Sequence, residues 1–364
     1  MTLTALALSA LVKDEARARG FDRVAIGVAR PPLHGPAFQR WLDAGYAGTM
    51  DYLSRTRADR LAPERLLPGV RSVVAVALNY GHEDADETWR PVARYARGRD
   101  YHDVMRPRLR ALVEVIRQAA GAGIESRTAV DTSAVLERDL AAQAGLGWIG
   151  KNTNLLIPDL GSYFFIGIVL TTAALEPDDP LPDRCGTCDA CLAACPTSAF
   201  VAPYVLDARR CIAYLTIEHR GDIDEHLRSA IGEHVFGCDV CQEVCPWNRR
   251  SPATHEPDLL SSGAFGPIEA LLGLDGEGFR ARFRGTAISR AKRTGLLRNT
   301  ALVLGNRGRR DSRAALMHAS EDDYAVIRRA AAWALERTAT GDGGGDVVTG
   351  PLSASAPSQQ MQSR

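Results

Sequence analysis

Apolar positions in the first 175 residues follow two periods in alternation. RVAIGVA (23–29), RSVVAVALNY (71–80) and SYFFIGIVLTTA (162–173) are runs rich in β-branched and aromatic residues, bounded by turn formers. They predict strands buried on one or both faces. Between them, PRLRALVEVIRQAAGAG (107–123) has apolar residues at helical spacing, a proline start and a glycine stop. SAVLERDLAAQAGLG (133–147) predicts a second helix, with Thr132 or Ser133 as its cap. Near the N-terminus, Leu8, Leu11 and Val12 share one helix face. This interleaving predicts an α/β domain over residues 1–175.

The pattern breaks at EPDDPLPD (176–183), a Pro/Asp linker. Beyond it, DARRCIAYLTIEH (207–219) predicts a helix carrying Cys211, and 250–280 is loop-rich, with Pro252, Pro257 and Pro267. Two amphipathic helices are predicted from ISRAKRTGLLRNTALVLGN (288–306) and DYAVIRRAAAWALER (323–337), a pair similar to one HEAT-like unit. From Thr340 the chain is a low-complexity Gly/Ser/Pro tail expected to be disordered. The chain therefore divides into residues 1–175, 176–250, 251–338 and a tail at 339–364. The fold class is multidomain, mixing α/β and α+β parts.

With 364 residues and 45% hydrophobic positions, two or three such units can each bury a core. The formal net charge of zero excludes a global attraction to nucleic acid. Locally the balance differs: residues 281–313 hold ten basic side chains and one acid, Asp311. Read alone, that run is as readily a solvated face as a phosphate-binding surface. No stretch reaches transmembrane length and no basic residue precedes the apolar N-terminal run, so a cytoplasmic protein without membrane attachment is expected. A monomer is expected.

All eight cysteines lie between 185 and 245. Cysteine used as a small core hydrophobe would be scattered; confined like this, the thiols read as ligands. CGTCDACLAACP (185–196) has the spacing of a bacterial ferredoxin run, C-x2-C-x2-C-x3-C-P. Three of its thiolates hold one [4Fe–4S] cube and the fourth turns to another. CDVCQEVCP (238–246) supplies the complement, and Cys211 stands between. One cube takes Cys185, Cys188, Cys191 and Cys245; the other takes Cys195, Cys211, Cys238 and Cys241. A pair of zinc sites, each held by four thiolates, is the chemical alternative.

Two clusters need far fewer residues than this chain has, so the domain before them holds chemistry or a partner. Two polar stretches there stand out. ARYARGRDYHD (93–103) gathers Arg94, Tyr95, Arg97, Arg99, Asp100, Tyr101 and His102. DYHDVM approaches the D-x-H-x-x-G pattern of a cobalt-ligating histidine, but Met105 stands where glycine is required, so His102 is not assigned to cobalt. In VDTSAVLERDLAAQAGLGWIGKNTN (130–154), Asp131 sits between a strand and a helix, where capping is its ordinary role. GWIGKNTN offers amides and hydroxyls suited to the rim of a large cofactor or a phosphate, with Lys151 one of three lysines in the chain.

In their order, ARYARGRDYH, VDTSAVLER, GLGWIGKNTNL, CGTCDACLAACPTSA, CIAYLTIEHRG and GCDVCQEVCPWN resemble the epoxyqueuosine reductase family over roughly residues 10–335. Departures are small: Ser133-Ala134 stands where relatives commonly have Ala-Pro or Gly-Pro, and Ala213 where serine is common. The resemblance implies a nitroreductase-like α/β domain binding cobalamin, a ferredoxin-like two-[4Fe–4S] module and HEAT-like C-terminal helices. It implies reduction of epoxyqueuosine to queuosine at the tRNA wobble position, with electrons from an unidentified donor passing through the clusters to cobalamin. Asp131 matches the general acid, and desolvation between corrin and base is expected to raise its pKa. Arg60, Arg94, Tyr95, Asp131, Gly150, Lys151, Asn152, Asn154 and Ser162 are carried over as cobalamin contacts. Beside such a substrate, Arg249, Arg250, Lys292, Arg293, Arg298, Arg307, Arg309 and Arg310 become candidate tRNA contacts. Trp247 is a candidate to stack a base or to pack in the core. The competing readings are a reductive dehalogenase-like enzyme, a non-enzymatic electron carrier and a nucleic-acid scaffold with structural clusters.

Overall fold

The computed structural model describes residues 3–82, 87–261 and 263–340, with side chains to 338. The N-terminal unit opens with α1 (Ala5–Ala18) and β1 (Arg23–Val28), then β2 (Ser72–Asn79), α2 (Tyr101–Ala120) and β3 (Ser126–Ala129). α3 (Glu137–Gln143), the short hairpin strands β4 (Trp148–Ile149) and β5 (Leu155–Leu156), and β6 (Phe164–Thr171) complete it. The main sheet has the order β1-β2-β6-β3 and every pairing is antiparallel.

All eight residues of β2 are buried, as a central strand covered on both faces requires. Val74, Val76 and Leu78 face α1 and α2 with Leu8, Val12, Leu109 and Ile116. Val73, Ala75 and Ala77 face the layer of Leu140, Ala141 and Ala144 on α3. Gly27 on β1 permits that second layer: a Cβ there would lie 2.8 Å from the Ala144 backbone.

The expected helix at 107–123 begins at Tyr101 instead, with Pro107 inside it. The reason is Asp100, whose side chain accepts from the His102 backbone N–H and caps the helix ahead of the proline. The helix expected at 133–147 is shorter, and its N-cap is Leu136, without a side-chain bond. Asp131, Thr132 and Ser133 therefore do not cap it, which overturns the capping expectation and leaves Asp131 for other work.

α4 (Ile212–Ile217) lies between Cys211 and Cys238, and C-terminal to the cysteines the chain forms α5 (Lys292–Arg307), α6 (Arg313–Ala319) and α7 (Ala325–Thr340). Cys211 sits at the N-cap of α4. Residues Gly295–Gly305 of α5 are all buried, so α5 is a core helix and not the amphipathic one expected. Its close approach to α7 depends on Gly305, where a Cβ would lie 2.7 Å from the Trp333 ring and 2.8 Å from Ala334. The same core takes in Leu215, Ile231, Val235 and Phe236 from the cysteine-bearing region. Beyond residue 340 the expected tail lies outside the described residues. Among the described residues, no helix is long and apolar enough to cross a membrane.

Candidate active site and cluster loops

The eight thiols gather into two groups, in the crossed arrangement expected from spacing. Cys185, Cys188, Cys191 and Cys245 line one cavity of about 240 Å³, together with Lys151, Asn152, Leu156, Pro246 and Trp247. Cys195, Cys211, Cys238 and Cys241 lie within electrostatic reach of one another. All eight are unbridged. Burial pushes the Cys238 thiol up to about 12, against a backbone hydrogen bond from Val240 that lowers it. Burial also raises Cys241, and crowding by Cys211 and Cys238 adds to it. Thiols held neutral this way release protons when metal binds. Four thiols around one cavity are the donor set that an iron–sulfur cube requires.

Hydrogen bonds to these sulfurs are already in place. The Ala199 N–H donates to Cys195 Sγ at 3.3 Å, and the Asn154 amide reaches Cys241 Sγ at 4.0 Å. Such bonds tune cluster potential.

The turn between β4 and β5, expected to hold cobalamin, has its polar groups engaged by other partners. Lys151 Nζ donates to the carbonyls of Gly186 (2.7 Å) and Cys188 (2.8 Å) in the first cysteine loop. Asn152 is buried, donates to the Cys241 carbonyl at 3.2 Å and accepts the Asn154 N–H. Gly150 leaves room for this packing, since a Cβ there would lie 2.7 Å from Leu156 Cδ1 and 3.2 Å from Asn152 Oδ1. Ser162 is likewise committed, to Asn248 and Gln242 beside the second loop. The physical reason is that loops carrying buried thiols need their own backbone groups satisfied. Trp247 packs edge-to-face on Trp148 with centroids 4.8 Å apart and lines the first cavity, so packing explains it.

Asp131 lies in an open recess where the α/β domain, α4 and the segment before α5 meet. It is the centre of a tight three-residue turn: φ is 51° and the Thr132 N–H donates to the Val130 carbonyl at 2.5 Å. That conformation is strained for a non-glycine residue. Asp131 Oδ2 accepts from Arg290 Nη1 at 2.6 Å, and Arg290 also pairs with Glu218 at 3.1 Å. His102 Nε2 stands 3.7 Å from the same oxygen. Desolvation alone raises the Asp131 pKa, but Arg290, then His102 and the Tyr101 hydroxyl, outweigh it and hold the carboxyl below its usual range. The expected raised pKa is therefore reversed here, because the sequence offered no sign that Arg290 folds back onto it.

Arg60 and Tyr95 belong to the same recess. Arg60 is buried, donates to the Val135 carbonyl at 3.0 Å and lies over the Tyr52 ring. Tyr95 packs against Tyr101, Phe165 and Phe236, next to Gly237 and the second thiol group. Arg94 points elsewhere, donating to the Tyr163 hydroxyl at 2.6 Å and pairing with Glu243. With them it lines a separate cleft of about 320 Å³. Sequence reasoning missed Glu137. Burial, then the Asp131 charge, raises it to about 8, and its Oε1 has no partner. Only its place six residues after Asp131 pointed to it.

The basic run is divided by the fold. Arg298 is 1% exposed and donates to the carbonyls of Leu215, His219 and Gly221. It ties α5 to the end of α4 and is not a tRNA contact. Arg293 pairs with Asp322, Arg307 with Glu233 and Arg309 with Asp311. Arg249, Arg250, Lys292 and Arg310 are exposed. Lys292 has φ 59° and ψ 164°, a backbone region nearly reserved for glycine, two residues from Arg290.

Comparison with known proteins supplies the rest. The family pattern described as "Epoxyqueuosine reductase QueG, DUF1730" matches residues 60–132, and a "4Fe-4S double cluster binding domain" matches 184–248. The epoxyqueuosine reductase of Xanthomonas campestris pv. campestris is 42% identical over 338 residues, covering 90% of this chain and 95% of that one. The chain belongs to the epoxyqueuosine reductase family. A solved epoxyqueuosine reductase bound to an epoxyqueuosine-modified tRNA-Tyr stem loop superposes with a TM-score of 0.82 at 31% identity, covering 91% of this chain and 90% of that one. The Bacillus subtilis epoxyqueuosine reductase, solved with an aspartate catalytic loop swung out of its active site, gives 0.83 at 30% identity, covering 91% and 90%. The family is thus known in a state with that loop displaced.

Proposed function

We propose that this chain reduces epoxyqueuosine to queuosine in tRNA, using two [4Fe–4S] clusters and cobalamin. The observation that carries this is family membership along nearly the whole chain. Two crossed thiol groups and an acid-bearing recess agree with it.

Cobalamin supplies a reducible cobalt centre, and the clusters supply electrons singly. The recess around Asp131 suits its amide fringe: Glu137 Oε1 is a buried polar atom without a partner, and Arg60, Tyr52 and Tyr95 surround it. Arg60, Tyr95 and Glu137 are therefore the residues we assign to hold the cofactor, with Asp131 facing the epoxide. The second thiol group adjoins this recess through Gly237 and Tyr95, whereas Cys188 in the first is exposed. Clusters bound by these thiols would supply electrons singly, with the exposed Cys188 side of the first group open to a separate donor and the second group nearest the recess.

Asp131 delivers a proton to the epoxide oxygen as the ring opens. In the free chain Arg290 keeps it ionised. Approach of the anticodon phosphates draws Arg290 off, and Asp131 then gains its proton. Arg249, Arg250, Lys292 and Arg310 bind the tRNA backbone, for which exposure supports the role. Arg290→Gln should raise the Asp131 pKa of the free chain, so the fall-off of kcat/KM at high pH moves upward. An unchanged profile removes Arg290 from this role.

The finer architecture is also a proposal: a nitroreductase-like cobalamin domain to about 175, a ferredoxin-like module to about 250 and one HEAT-like helix pair, α5 with α7, acting in the cytoplasm as a monomer. The deciding experiment is anaerobic purification with added cobalamin, then incubation with epoxyqueuosine-containing tRNA and a chemical reductant. Nucleoside mass analysis should find queuosine. Intact clusters and bound cobalamin without queuosine would overturn the reading.

A further inference from the structure

Converting an epoxide to an alkene removes its oxygen as water. The balance is two electrons, supplied through the clusters, and two protons. One proton reaches the oxygen as the first C–O bond breaks; the second makes the resulting hydroxyl a leaving water as the other C–O bond breaks. A single carboxyl carries one proton. A second proton must therefore reach Asp131 within the turnover, from a neighbouring group or from solvent.

We propose that His102 reloads Asp131 within each turnover, passing a proton from Nε2 to Asp131 Oδ2. This rests on the reading of Asp131 as the acid. Asp100 Oδ1 accepts from both the His102 backbone N–H (3.0 Å) and Nδ1 (2.8 Å). A carboxylate only accepts, so Nδ1 keeps its hydrogen and Nε2 becomes the exchanging nitrogen. Nε2 is buried, has no hydrogen-bond partner and lies 3.7 Å from Asp131 Oδ2. The residue is 8% exposed, and its ring is clamped on Tyr101, which stacks on Phe165. A small advance of the strained turn closes the gap; catalytic hydrogen bonds are often long before substrate binds.

In the step, the N–H bond at Nε2 breaks and an O–H bond forms on Asp131; the neutral imidazole then regains a proton from solvent, water leaving as hydroxide. The charged and titratable groups around the ring are Asp100 and Arg106 from its own helix, Tyr101 beneath it, Asp131 from the turn and Arg290 through Asp131. Arg106 also donates to Thr132 Oγ1 at 3.2 Å, joining the helix to the turn. His102 is assigned no contact with epoxide or corrin. It acts through Asp131 as a positioning residue, a role apart from the cobalt ligation that Met105 argues against.

The test uses the full chain loaded with both clusters and cobalamin. His102→Gln should slow single turnover by about 10²-fold at high pH, with a smaller deficit as pH falls. Added imidazole should restore part of the rate, and the solvent isotope effect should rise. A profile parallel to the parent without imidazole rescue would overturn the relay, since a purely structural histidine gives that result. If His102→Gln fails to hold its clusters, Asp100→Asn replaces it. That variant keeps the ring but removes its counter-charge, so the fall-off at high pH should move to lower pH; an unmoved fall-off overturns the relay. Asp131→Asn is run in parallel. Full activity there defeats the Asp131 reading itself, whereas an inactive Asp131→Asn beside a parent-like His102→Gln defeats only the relay.

Discussion

Asp131→Asn will load both clusters and cobalamin as the parent does, yet convert epoxyqueuosine tRNA about 10²- to 10⁴-fold more slowly. The size follows from the loss of a positioned proton at an oxygen that must become a leaving group. Retention of cofactors follows from geometry. Asp131 accepts from Arg290 and faces His102, and neither thiol group depends on it. The amide keeps the shape of the turn but has no acid proton to give. Single-turnover kinetics with iron and cobalamin quantitation separate the two outcomes, and parental turnover removes Asp131 from the chemistry.

Cys245→Ala should lower the iron content from about eight to about four per chain, and the loss should fall on the cluster whose other ligands lie in the upstream loop. Cys245 lines the same cavity as Cys185, Cys188 and Cys191, although Cys238 and Cys241 are its neighbours in sequence. Paired variants test the crossing. Cys188→Ala with Cys245→Ala should still hold one cluster, because both thiols serve the same cube. Cys188→Ala with Cys238→Ala should hold neither. Loss of both clusters from Cys188→Ala with Cys245→Ala would mean that each loop keeps its own ligands.

The thiol groups were legible because ligand spacing is a local, one-dimensional signal with few alternatives. The buried strands were legible for a similar reason: SVVAVALN has no polar face to misread. What failed depended on contacts distant in sequence. Arg290 reads as one member of a basic run, and nothing local says that it crosses to Asp131, 159 positions away. Arg298 reads as surface charge until three backbone carbonyls are found waiting for it. Lys151 and Asn152 read as a cofactor rim because amides and ammonium groups suit one, and nothing local says that they also bond carbonyls of the two cysteine loops. The start of α2 was misplaced because Pro107 is a strong local signal and the Asp100 cap a weaker one.

The β4–β5 hairpin reaches both metal-bearing loops, one through Lys151 and the other through Asn152 and Asn154. Electron tunnelling weakens steeply as the gap between centres widens. A strut anchored in the N-terminal unit ties the two loops to one another, and would fix the spacing of the cubes they hold and with it the rate of the hop between them.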